Sequence, residues 1–70
     1  MEQSFDAGLF SRIVLQPDIV GVYVFVFEND DSRHPERDYH QDDIKMAKLF
    51  CLEEYGTAAS SWKLYDGDPI

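Results

Sequence analysis

One ten-residue stretch constrains the fold more than any other part of the chain. Ile19 to Glu28 reads IVGVYVFVFE, an almost unbroken run of β-branched and aromatic residues behind the turn-forming pair Pro17-Asp18. Side chains alternate between the faces of a strand. Val20, Val22, Val24 and Val26 therefore point one way, and Tyr23, Phe25 and Phe27 the other, with Gly21 in line with the aromatics. Both faces are apolar, so the strand belongs inside a sheet and needs cover on both sides. A chain of 70 residues must find that cover within one small core.

A helix is expected from about Pro35 or Asp38 to Tyr55. Pro35 suits a first helical turn, Asp38 followed by Gln41 resembles a capping box, and Gly56 suits the left-handed residue that ends a helix. Ile44, Ala47, Cys51 and Tyr55 recur at helical spacing as its core stripe, while Met46, Leu49 and Phe50 fall outside its centre. Trp62 to Tyr65 reads as a short last strand, with Trp62 and Leu64 facing one way and Tyr65 the other. The N-terminal segment supports two readings. Phe5, Leu9, Phe10, Ile13 and Val14 fit a short helix opened by Ser4, whereas Phe10 to Leu15 fits a strand joined to the next by a turn at Gln16-Pro17-Asp18. The expected fold is thus a single two-layer α+β domain over residues 1–70, β-β-α-β with a three-stranded sheet and one long helix. The alternative is α-β-α-β with a two-stranded sheet. Each leaves apolar surface uncovered, and a homodimer would cover it.

Charge narrows the function classes. Fourteen acids against six bases give a net charge of −8, which opposes approach to nucleic-acid phosphates or an anionic membrane. The bases are scattered, so Tyr23, Phe25 and Phe27 lack the lysines and arginines that accompany base-stacking aromatics on RNA-binding sheets. The lone Cys51 has no intramolecular disulfide partner, no apolar run reaches about 18 residues, and Glu2 and Asp6 stand where a signal peptide is basic. A cytoplasmic setting is the expectation.

Half of the acids lie between Glu28 and Asp43. Glu28, Asp30, Asp31, Asp38, Asp42 and Asp43 form a candidate acidic surface for a basic protein partner, with Met46, Leu49 and Phe50 as its apolar contact. On a helix beginning near Pro35, Glu36, His40 and Asp43 would share one face with Cys51, which makes them the candidate metal ligands although their spacing matches no compact zinc motif. The histidines fall in the charged segment away from any serine or cysteine nucleophile, and the isolated glycines form no phosphate-cradling loop. The sequence therefore points to a non-catalytic interaction module without a cofactor, with metal binding as the alternative.

Overall fold

The computed structural model describes residues 1–29 and 31–70. The strand expected over Ile19–Glu28 is shorter: β3 is Gly21–Phe27, with Ile19 and Val20 in the preceding turn and exposed, and it is internal, lying between β2, Arg12–Asp18, and β4, Arg37–Gln41. With β1, Glu2–Ser4, and β5, Lys63–Leu64, these make a five-stranded antiparallel sheet in the order β4-β3-β2-β1-β5. The helix α1, Ile44–Tyr55, and a 3₁₀ turn at Ala59–Ser61 connect β4 to β5.

The architecture is β-β-β-β-α-β, which replaces both the three-stranded and the two-stranded expectation. The N-terminal ambiguity resolves to the strand β2, but the turn expected at Gln16-Pro17-Asp18 lies at Ile19-Val20, since those three residues pair with Tyr23, Val22 and Gly21; β1 pairs on the other side with Ser4 opposite Ile13. The two unexpected strands, EQS and RDYHQ, are polar. Their pairing comes from backbone hydrogen bonds to an apolar neighbour, and a strand that itself buries little shows no apolar alternation. Ser4 is fully buried nevertheless. Its hydroxyl bonds that of Ser61 at 2.7 Å, and the Asp6 carboxylate accepts from the Ala58 amide at 2.8 Å, so the N-terminal hairpin is tied to the segment that delivers β5.

The helix starts later than the capping signals suggest. Residues 37–41 are strand, and the N-cap is Asp43, whose extended backbone (φ −154°, ψ 176°) lets its carboxylate accept from the Met46 amide at 2.8 Å. Asp38 cannot cap because β4 pairs it with Phe25. At the other end Gly56 takes the left-handed conformation (φ 70°) and donates to the Leu52 carbonyl at 3.0 Å, as its position implies. Asp43→Ala is expected to cost about 1 kcal/mol of stability, whereas Asp38→Ala leaves the helix unchanged. Urea denaturation of the two variants checks this, and equal losses would contradict the assignment of the cap.

The valine face meets the helix. The register Ile13 to Val26 and Leu15 to Val24 aligns apolar residues of β2 and β3, and Ala47 and Cys51 of α1 close the core over them. Phe10, Tyr39, Ile44, Phe50, Tyr55 and Trp62 pack around its margin. The aromatic face carries a second cluster of Val14, Phe25 and Phe27, flanked by Met1 and Tyr65. The Arg12 guanidinium lies 4.3 Å above the Phe27 ring, and the Ile70 amide donates to Gln16 at 2.6 Å. The chain's own Met1, Arg12 and Tyr65 therefore cover part of this face. No helix among the described residues is long and apolar enough to cross a membrane.

Candidate functional site

The acidic surface divides into separate groups. Glu28 and Asp31 follow β3 at one end of the β3–β4 hairpin, while Asp42 and Asp43 follow Gln41 at the other, where Val22 pairs with Gln41. The hairpin ladder of about 3.3 Å per residue separates the two ends. Asp38 lies between them on the aromatic side of β4, opposite Phe25. Asp30 lies outside the described residues. The apolar candidates divide as well. Met46 and Leu49 are each 44% exposed, one helical turn apart and directly after Asp42 and Asp43. Phe50 instead packs on the core, with its ring centroid 4.6 Å from that of Tyr39.

Asp42, Asp43, Met46 and Leu49 thus follow one another along the β4–α1 corner, with the exposed Lys45 among them. Among the described residues the ion pair that forms is Lys48 to Glu2, at 2.8 Å on the far side of the helix, and none involves Asp42, Asp43 or the neighbouring Lys45. Asp43 uses one carboxylate oxygen for the cap.

The metal candidates do not converge. Glu36 precedes β4, His40 is in the strand with its ring 4.9 Å from that of Tyr23, and Asp43 is the cap. The shared helical face on which their grouping depended is absent, since the helix begins at Ile44. Cys51 belongs to the valine-face core on the other side of the sheet from His40, is 0% exposed, and has its thiol pushed up to about 12 by burial. Its burial among Ile13, Leu15, Val24 and Ala47 makes it a packing group of the core. No group of three or more His, Cys, Asp or Glu that could hold a metal ion occurs among the described residues.

Tertiary structure also assembles a cluster that spacing alone does not disclose. Arg37, Tyr39 and Tyr55 come together at the margin of the helix layer, with Arg37 5.0 Å over the Phe10 ring and the two phenol oxygens 3.0 Å apart. Burial, and then the hydrogen bond with Tyr39, push the Tyr55 phenol up to about 12, and the two phenols raise the Arg37 pKa further. The Tyr55 phenol thus remains a protonated hydrogen-bonding group and the Arg37 guanidinium remains charged. Arg37 and Tyr55 border a cleft of about 310 Å³, lined also by Gly8, Leu9, Phe10 and Glu54. Arg37 could hold a carboxylate there, but Glu54 lines the same cleft and opposes an anion. The signal was available only after 37–41 is read as a strand, because Arg37 and Tyr39 then share a face.

No protein-family model matches the chain, and no curated protein or solved structure resembles it at a significant level.

Proposed function

We propose that the protein is a non-catalytic interaction module that engages a basic protein surface through the β4–α1 corner. The observation that carries this reading is the pair Asp42 and Asp43, without an ion pair among the described residues, next to the half-exposed Met46 and Leu49. Carboxylates steer a basic partner and exclude acidic ones, and the adjoining apolar side chains add area that is desolvated on contact. The net charge of −8 extends that steering beyond the patch. Glu28 and Asp31 stand at the other end of the same hairpin.

The test uses the double variant Asp42→Asn/Asp43→Asn. Asparagine caps a helix about as well as aspartate, so the change removes charge and keeps the fold. Immobilised native protein is expected to retain a basic partner that salt elutes, and the variant, like Met46→Ser/Leu49→Ser, is expected to lose it. An unchanged set of captured proteins would rule out this surface.

A further inference from the structure

We propose that the free edge of β4 pairs with the same edge of a second copy of this chain, joining two sheets into one across a two-fold axis at Tyr39. As an edge strand, β4 has half of its backbone groups without a partner in the sheet. The hydrogen bonds of β3 identify which half. The Phe27 carbonyl accepts from Ser11, on the β2 side, at 2.9 Å, and the Val26 carbonyl accepts from Glu36, on the β4 side, at 2.8 Å. Successive residues of a strand bond to opposite neighbours, so Val22, Val24 and Val26 bond to β4, where they face Gln41, Tyr39 and Arg37. The N–H and C=O groups of Asp38 and His40 therefore point outward.

The side chains select a register for a second copy. Keeping both helices on one side of a joined antiparallel sheet requires residues of the same face to lie opposite each other. Centred on Tyr39, the pairing sets Asp38 opposite His40 of the second copy, and Arg37 opposite Gln41. The imidazole has an N–H donor in either protonation state, and the carboxylate is an acceptor. Symmetry makes this match twice. Moving the centre to Asp38 sets Asp38 against Asp38, and moving it to His40 sets Asp38 against Asp42, each a like-charge pair directly across the strands. The Tyr39-centred register avoids both, and it ends where Asp42 would next meet Glu36. On the helix side it brings Tyr39 to the axis with Phe50 packed on it. The groups that pair here are the backbone of Asp38 and His40 and not the side chains of Asp42, Asp43, Met46 and Leu49, so the proposal does not depend on the function proposed above.

Sedimentation velocity of the purified chain from micromolar to millimolar concentration tests the idea, together with amide exchange at Asp38 and His40. The expected result is a monomer–dimer equilibrium in which those two amides gain protection with concentration. Added salt should strengthen it, since each copy carries a charge of −8. Asp38→Pro removes an outward N–H without touching the bonds to β3 and is expected to abolish the dimer. His40→Glu, which sets like charges opposite each other, is expected to weaken it about tenfold, and Asp38→Lys/His40→Glu to restore it. Trp62 fluorescence confirms that each variant is folded. A chain that stays monomeric at millimolar concentration overturns the proposal, as does a dimer that survives both Asp38→Pro and His40→Glu.

Discussion

Gly21→Ala is expected to be among the most damaging single substitutions in the protein, costing about 3 kcal/mol or more. Gly21 opens β3 with φ +151°, a conformation that side chains rarely adopt. A methyl group there would collide with the Gln41 backbone carbonyl and lie 2.6 Å from the His40 imidazole. The imidazole can swing aside, but the carbonyl is fixed, because Gln41 pairs with Val22 in the sheet. Gly56→Ala is the control. Its φ of +70° carries the ordinary left-handed cost of about 1 kcal/mol, and nothing lies within 4 Å of the added carbon. Urea denaturation of the two variants separates strain from collision. Equal losses would mean that the close approach of β4 to Gly21 is unimportant.

Phe27→Ala is expected to cost about 3–5 kcal/mol, as truncation of a buried aromatic does. Phe27 is 1% exposed between Val14 and the Arg12 guanidinium, and its removal leaves a cavity on the sheet face opposite the helix. Tyr23 lies on the same face of the same strand but is 36% exposed, stacked on Phe25 with centroids 5.6 Å apart. Tyr23→Ala should therefore cost only about 1 kcal/mol. Thermal or urea unfolding provides the comparison. If the two losses were alike, the aromatic face would be open along its whole length, and Met1, Arg12 and Tyr65 would not be covering it. For a small domain with a margin of only a few kcal/mol, both Gly21→Ala and Phe27→Ala approach the whole stability.

What local chemistry governs was legible in the residues. The strand at Gly21–Phe27, the split of its valines from its aromatics, the stripe of Ile44, Ala47, Cys51 and Tyr55, and the stop at Gly56 all follow from periodicity and a cap. The helix start was misread for an equally local reason. Pro35 and the pair Asp38 and Gln41 resemble helix signals, and Asp43 is a competing cap in the same acidic run. Between them the sheet decides, because residues 37–41 as a strand pair with β3 and give Val22, Val24 and Val26 the backbone partners that a helix would not supply.

The candidate site suffered most from that shift. Glu36, His40 and Asp43 were a group only on a helix, and the extended chain, at about 3.3 Å per residue, spaces them apart. The strand alternation assembles Arg37 with Tyr39 and leaves Asp38 and His40 on the opposite face with their backbone at a free edge. The acidic run from Glu28 to Asp43 looked like one surface because it is continuous in sequence, yet a hairpin returns its two ends to opposite ends of the ladder.

By itself the sequence determined the elements that bury their own side chains, since burial imposes a period of two or of about 3.6 on apolar residues. It also determined the charge that limits the partners of this protein. Only the tertiary structure decided that EQS and RDYHQ are strands, that the aromatic face is covered in part from within, and which acids stand together. The physical reason is that these outcomes depend on backbone hydrogen bonds between distant segments. The backbone is chemically the same in every residue, so its pairing leaves little trace in the order of the side chains.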